Sequence, residues 1–398
     1  MNVSLGQRFQ RPVDGGSMEK NSTASKHKDI SLVLDSSQRI PLLKADAAHG
    51  HHHHHHHHHH EPGPEPRLPV RHTHHHPKHG ANPAVASQDV PPSNGSVYFI
   101  GTATTVIEWH GIRILTDPNF LHAGDHVHLG PGVTAERLTN PAVDLDALPP
   151  LDCILLSHYH ADHFDQLVED SLNRSFPIIT TPHAKKELTS KPEPFRAVHD
   201  LDFFESITLP VISPAGPTAI DKPEGKKPVV KITGMPGSHV PPGPLSVAND
   251  LLGAVPPTNG WLIELGFSSA AAVAAPPGAA LETGYRIYIS GDTLFYDELE
   301  SIPARLAGEK IDLMLVHLGG TTIPSARVPL VMVTMDAAQG VRLMRLVEPD
   351  VTVPVHFDDY DLFLSPLERF RDEVERCGLG GRVVYLERGD EYRFLVRG

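Results

Sequence analysis

Apolar and polar positions divide the chain near residue 95. Residues 1–95 show no sustained apolar period and are dominated by Ser, Pro, His and Gly. Such a segment buries too little apolar surface to offset the entropy of ordering, which predicts a disordered, low-complexity, His-rich leader. From Ser96 onward, short apolar runs alternate with glycine and proline turns. SVYFIG, TTVIEWHG and IRILTDP predict three strands of a meander. A long polar loop with His122, His126 and His128 follows. DCILLSH predicts a buried strand, and DHFDQLVEDSLNR places Phe164, Leu167, Val168 and Leu172 at helical spacing. FPIITT predicts a strand, AKKELT a short helix, and ESITLPV and PVVKITGMPG two further strands. NGWLIELGF and YRIYISGDT predict strands that flank SSAAAVAAPPGAALETG, a low-complexity insertion expected as a surface loop. Beyond it come a helix (YDELESIPARLAG), a strand (IDLMLVHLGG), a helix (MDAAQGVRLMRLVEP), a strand (VTVPVHF), a helix (SPLERFRDEVERCGL) and a terminal hairpin (RVVYLERGDEYRFLV). Strands and helices interleaved in this way predict one α/β domain over residues 96–398, with two mixed sheets and helices on their outer faces.

Composition sharpens that division. The chain has 398 residues, of which 39% are hydrophobic, and the deficit lies in the leader. Residues 96–398 carry 24 Lys+Arg against 40 Asp+Glu, a surplus that repels phosphate backbones and argues against nucleic-acid binding. Two cysteines, Cys153 and Cys377, have no zinc-knuckle or disulfide spacing, which favours a reducing compartment. No apolar run reaches membrane-span length, and the N-terminus lacks the apolar core of a secretory signal. A cytoplasmic protein acting on a small-molecule substrate is the expectation, with a peripheral lipid contact left open. The ten consecutive histidines His51–His60, followed by His72, His74, His75, His76 and His79, cannot fix one metal geometry. They read as a natural low-complexity tract that binds transition metals loosely or buffers protons, with an engineered tag as the alternative.

The candidate chemistry lies in SHYHADHFDQ, Ser157 to Gln166. In His158-x-His160 an extended strand end sends alternate side chains to one side, so both imidazoles can reach one metal. Asp162 and His163 follow at a helix start and can turn toward a second metal. Imidazole with carboxylate suits Zn²⁺, and also Mn²⁺ or Fe²⁺. The structural alternative is a polar helix N-terminus capped by Asp162. His239 (MPGSHVPPG), Asp292 (YISGDTLF) and His356 (VPVHFDDY) each follow a strand, and Gly291 permits a tight turn. Asp117 at the end of ILTDP reads equally as a group orienting a ligating histidine or as a turn cap. His317 in VHLGG reads as a proton donor or as a buried structural histidine. Asp358, Asp359 and Tyr360 are weaker candidates for shaping a pocket. His110, His183 and His199 read as structural, with a role for His183 left open.

IGTATTVIEWHGIRILTDP, SHYHADH, GSH, SGDT and VPVHFDD occur in the order found in the metallo-β-lactamase fold superfamily, which residues 96–398 resemble. ILTDP and GDT are similar to the branch that contains ascorbate-6-phosphate lactonase and N-acylphosphatidylethanolamine phospholipase D. The resemblance implies a four-layer αββα sandwich with metals at one edge of its sheets. It implies a first metal on His158, His160 and His239, a second on Asp162, His163 and His356, and Asp292 as the bridge. A metal-bridging hydroxide would attack an ester, lactone or phosphoester, with Asp162 and His317 as catalytic groups. The phospholipase branch carries a histidine where this chain reads Thr334-Met335-Asp336, which argues against a phospholipid substrate. Two other readings remain: an iron-dependent oxidoreductase of sulfur dioxygenase or diiron type on the same fold, and a metal-binding protein led by its His tract.

Overall fold

The computed structural model describes residues 26–45, 64–79, 90–213, 225–269 and 281–398. The His51–His60 tract and residues 270–280 of the insertion lie outside the described residues. Two eight-stranded sheets form the body. The first runs Val198–Asp200, Ile178–Thr180, Cys153–Leu155, Ile112–Thr116, Thr104–Trp109, Gly95–Gly101, Glu391–Phe394 and Thr73–His74. The second runs Lys26–His27, Glu205–Ile212, Lys226–Met235, Gly260–Ser269, Leu281–Ile289, Leu313–His317 and Val351–Val355, with Leu34–Asp35 also paired to Glu205–Ile212.

Strand periodicity accounts for the layering. In the first sheet Val97, Phe99, Ile107, Trp109, Ile114 and Leu155 join the large core that contains Val230, Ile263, Leu265 and Ile287 of the second sheet. Their neighbours Tyr98, Ile100, Val106, Leu115 and Ile154 point the other way, onto Phe164, Val168, Leu172, Ala184 and Leu188. A sheet buried on both faces requires a layer on each side. Helices Gln166–Ser171 and Pro182–Thr189 cover the first sheet's outer face, and Ala337–Val347 and Leu367–Arg376 bring Val341, Met344, Phe370 and Val374 to the large core. This is the expected four-layer αββα sandwich.

Several elements differ from the sequence expectation. RVVYLERGDEYRFLV is not a hairpin: Val383 bridges Thr352, whereas Glu391–Phe394 pairs with Gly95–Gly101 in the other sheet. The polar loop after Asp117 contains the hairpin His126–Gly130 and Val133–Glu136, whose Val127, Leu129, Val133 and Ala135 pack on Tyr360 and Leu362. Both ends of the alanine-rich insertion continue the flanking strands, with Ser268 opposite Leu281. Of the four residues at helical spacing, Phe164, Val168 and Leu172 are buried, whereas Leu167 is 48% exposed. Helix Pro244–Leu252 was not anticipated, because it buries none of its residues and so shows no core-facing stripe.

Parts of the compositional leader dock on the body. Lys26–His27 and Leu34–Asp35 pair in parallel with Glu205–Ser206 and Val211–Ile212, and Leu34 is 1% exposed within the large core. Arg39 donates to both carboxylate oxygens of Asp152 at 3.1 and 2.9 Å. Thr73–His74 pairs with Glu391–Tyr392, and the His72 and His74 rings contact the two oxygens of Asp390 at 3.2 and 3.0 Å. Low apolar content does not register this docking, because open sheet edges offer backbone partners to any sequence.

Candidate metal centre

Topology brings the candidate residues to one edge. Leu281–Ile289, Leu313–His317 and Val351–Val355 are parallel neighbours, and Lys226–Met235 runs in the same direction two strands away. Their carboxyl ends therefore deliver Asp292, His317, His356 and His239 to one side. Parallel strands Ile112–Thr116 and Cys153–Leu155 of the first sheet end at Asp117 and His158. The sheets are tied at this edge by Asn259 N–H donating to the Ser157 carbonyl at 2.9 Å and His356 N–H to the Thr102 carbonyl at 2.8 Å. Gly291 turns with φ 66°, and a Cβ there would lie 2.2 Å from the Asn259 carbonyl, so the turn before Asp292 requires glycine.

All seven proposed ligands come together. Donor atoms of His158, His160 and His239 lie within 4.8 Å of one another, as do those of Asp162, His163, Asp292 and His356. Asp292 faces both groups: its Oδ2 is 2.9 Å from His163 Nε2, 3.3 Å from His356 Nε2 and 3.7 Å from His239 Nε2. Asp162 Oδ2 is 3.4 Å from His163 Nε2 and 3.5 Å from His356 Nε2.

Each histidine is held by one nitrogen and turns the other toward the cluster. His239 Nδ1 donates to the Val333 carbonyl at 2.5 Å, His356 Nδ1 to the Leu318 carbonyl at 2.9 Å, and His160 Nε2 to the Leu129 carbonyl at 2.9 Å. His158 Nδ1 meets Ser157 Oγ at 2.8 Å, and His163 Nδ1 lies 3.2 Å from Asp117 Oδ2. Of the opposite atoms, His158 Nε2 is buried without a hydrogen-bond partner, His160 Nδ1 and Asp162 Oδ1 face each other at 3.2 Å, and His356 Nε2 lies 3.3 Å from Asp292 Oδ2, both contacts outside hydrogen-bond geometry. An imidazole held at one nitrogen, with the other turned toward a common point, is the arrangement metal ligation requires. The holding groups Ser157 and the Leu129, Leu318 and Val333 carbonyls carried no sequence signal, because a carbonyl has no residue identity.

Electrostatics follow from burial and proximity. Burial raises the Asp162 and Asp292 carboxyls, but His163 beside each, with further histidines, holds both well below their ordinary values. Burial lowers His163 and His356, yet Asp292 and Asp162 carry both above the usual histidine range. Burial pushes His239 down to about 4 and, with the His163 charge, takes His158 well below its usual value. The two carboxylates thus favour the charged forms of His163 and His356.

His317 is 1% exposed, and its Nδ1 lies 2.8 Å from Asp292 Oδ1, the carboxylate oxygen that His163 does not contact. Its donor atoms group with those of Asp117 and His163. Asp117 has φ 37° and accepts from Ser157 N–H at 2.7 Å, so it braces the strand end that leads into His158. Asp358 and Asp359 pair instead with Arg388, and Tyr360 accepts from Asn119 Nδ2 at 2.5 Å behind the centre. His183 sits apart, 3.8 Å from Glu187 on its own helix, and His110 packs against Trp109 and Phe267.

Residues 112–357 match a family model described as a β-lactamase superfamily domain. A protein of Archaeoglobus fulgidus named as a metal-dependent hydrolase is 32% identical over 113 residues, 28% of this chain and 42% of that protein. The chain thus spans less than half the length of that relative. A Nanoarchaeum equitans protein, also named as a metal-dependent hydrolase, is 21% identical over 250 residues, 62% of this chain and 87% of that protein. The crystal structure of a possible metal-dependent hydrolase from Veillonella parvula shares 16% identity and a TM-score of 0.54, covering 76% of this chain and 100% of that one. Similarity at that identity speaks for the fold. The matched span opens on the strand that ends at Asp117 and closes one residue after His356, and the chain belongs to the β-lactamase superfamily with the metallo-β-lactamase fold.

Proposed function

We propose that the chain is a binuclear metal-dependent hydrolase that cleaves an ester, lactone or phosphoester bond in a small-molecule substrate. The observation that carries this reading is the convergence of buried donor atoms on His158, His160, Asp162 and His356, none of them in hydrogen-bond geometry with its neighbours. Leaving a buried polar atom unpaired costs about 1–3 kcal/mol, so several in one place point to a missing cationic partner. In this reading His158, His160 and His239 hold one ion, Asp162, His163 and His356 hold the other, and Asp292 is shared. The nitrogen and carboxylate donors fit Zn²⁺, with Mn²⁺ and Fe²⁺ compatible. When bound, two such ions supply Lewis acidity and lower the pKa of a shared water.

The chain's own residues supply position and charge. His317 holds Asp292 Oδ1 and so leaves Oδ2 for the centre. Asp117 fixes the His163 ring. Neither cysteine competes as a nucleophile: Cys153 lies in the buried core, where burial raises its thiol, and Cys377 caps a helix far along the chain. Water is then the attacking group, and His317 is the candidate to protonate the leaving group. Among the described residues no helix is long and apolar enough to cross a membrane. The metal-dependent hydrolase names of the Archaeoglobus and Nanoarchaeum relatives support the same reading.

The test couples metal analysis of the purified protein to a panel of phosphodiesters, lactones, carboxylic esters and phospholipids, with and without chelation. Two tightly held ions and chelator-sensitive cleavage of one bond class are expected. Redox-active iron with oxidation of substrate, or no tightly held ion, would overturn the proposal.

A further inference from the structure

Behind the centre, a fully buried arginine connects to only one half of the proposed ligand set. Arg137 and Asp359 are both 0% exposed, with Arg137 Nη2 3.6 Å from Asp359 Oδ1. Arg137 Nη1 donates to Asn119 Oδ1 at 2.7 Å, and Asn119 Nδ2 donates to the Asp162 carbonyl at 2.9 Å. Asp359 Oδ2 accepts from Thr102 N–H at 3.0 Å, and the Thr102 carbonyl accepts from His356 N–H at 2.8 Å. Arg388 and Thr139 complete the Asp359 carboxylate, each donating to Oδ1 at 2.6 Å. Gly101 leaves the room required, since a Cβ there would lie 3.2 Å from Arg137 Nη2 and 3.4 Å from Arg388 Nε.

We infer that Arg137, through Asn119 and Asp359, is a positioning residue for the ion held by Asp162 and His356, and not for the ion held by His158, His160 and His239. The inference rests on the two-ion reading above. The His158, His160 and His239 set is braced by other groups, the Ser157 hydroxyl and the Leu129 and Val333 carbonyls. Arg137 reaches Asp162 and His356 at their backbones, so it sets where each side chain starts rather than touching the reacting atoms. A buried guanidinium and carboxylate fixed by several donors form a rigid frame, and breaking such a frame is felt mainly by the parts hung on it.

The test is graded chelation of the full-length holoprotein, with bound metal measured by mass spectrometry at each chelator concentration. Ions on the His tract leave first, and the two centre ions follow. Arg137→Met is expected to release one centre ion at roughly 10–100-fold lower chelator concentration, the usual scale for losing an outer-shell partner, while the other is released as in wild type. Asn119→Ala removes the link to Asp162, together with the Asn119 contacts to Arg137 Nη1, Leu121 N–H and the Tyr360 hydroxyl, and keeps the Arg137–Asp359 pair. It is expected to show the same selective release, and it decides the matter if Arg137→Met does not fold. Equal weakening of both ions would mark a general stability role and overturn the inference, as would wild-type release in Asn119→Ala. Fewer than two tightly held ions in the wild type would sink the two-ion reading itself, and the inference with it.

Discussion

Replacing Asp292 by asparagine tests the centre at the point where both halves meet. The substitution keeps the side-chain volume and removes the charge. Asp292 Oδ2 serves His163 Nε2 at 2.9 Å and His356 Nε2 at 3.3 Å, while Oδ1 serves His317 Nδ1 at 2.8 Å. An amide offers its oxygen to one side only, so its NH2 must face a nitrogen that the carboxylate had satisfied. Removing one partner of a buried charged pair costs about 3–5 kcal/mol. At about 1.4 kcal/mol per tenfold, that weakens metal retention by roughly two to four orders of magnitude. Purified Asp292→Asn should lose at least one ion after dialysis and most of its activity, while circular dichroism shows a folded protein. His183→Ala is the control, since that ring sits apart beside Glu187 and should affect neither quantity. Wild-type metal content in Asp292→Asn would refute the shared position assigned to Asp292.

Metal uptake should displace protons. His163 and His356 are held above the usual histidine range and remain protonated at pH 6, while His158 and His239 are lowered and already neutral. Titrating the stripped protein with Zn²⁺ at pH 6 should therefore release roughly two protons per centre, measured by calorimetry in buffers of different ionisation heat, and zero release would refute the charge assignment. The two raised histidines stabilise the metal-free fold most fully at low pH and lose that contribution as pH rises through their folded values, so metal affinity should increase with pH over the same window. His317→Gln should lower turnover on substrates with poor leaving groups and barely affect an activated aryl ester, whereas equal losses would leave His317 as an orienting partner of Asp292 alone. Leu34→Ala should cost about 2–5 kcal/mol in chemical denaturation with metal content unchanged, and an unmoved midpoint would show that residues 26–45 do not dock in solution.

The sequence was most informative where chemistry and period coincide. His158, His160, Asp162 and His163 fall within six residues, and each remaining ligand closes an apolar run, so strand ends and donor types could be read together. The two core-facing sets of the first sheet were likewise written in its alternation. What stayed hidden depends on contacts between distant segments. Glu391–Phe394 and Val383 are neighbours in sequence but join different sheets, and no local pattern distinguishes that from a hairpin. Arg137 lies in a stretch of polar residues and gives no sign of being 0% exposed, because its burial depends on Asn119 and Asp359, 18 residues before it and 222 after it. The hairpin at His126–Glu136 did offer a signal, Val127, Leu129, Val133 and Ala135 in alternation, obscured by the histidines between them.

Backbone conformation at the ligand edge helps to present these residues. Thr102, Asp117 and His356 adopt φ of 47°, 37° and 59°, a region costing non-glycine residues about 1–3 kcal/mol each. Each is fixed by a hydrogen bond to a neighbouring part of the site. Asp117 accepts from Ser157 N–H, Asp359 accepts from Thr102 N–H, and the Thr102 carbonyl accepts from His356 N–H. The strained turns let strands end abruptly and send a side chain sideways into the centre, where an extended residue would carry it past. Sandwich burial of residues such as Ile114, Leu155, Val353 and Val355 keeps those strand ends from relaxing. Strain is thus maintained by the core and spent on presenting the donors.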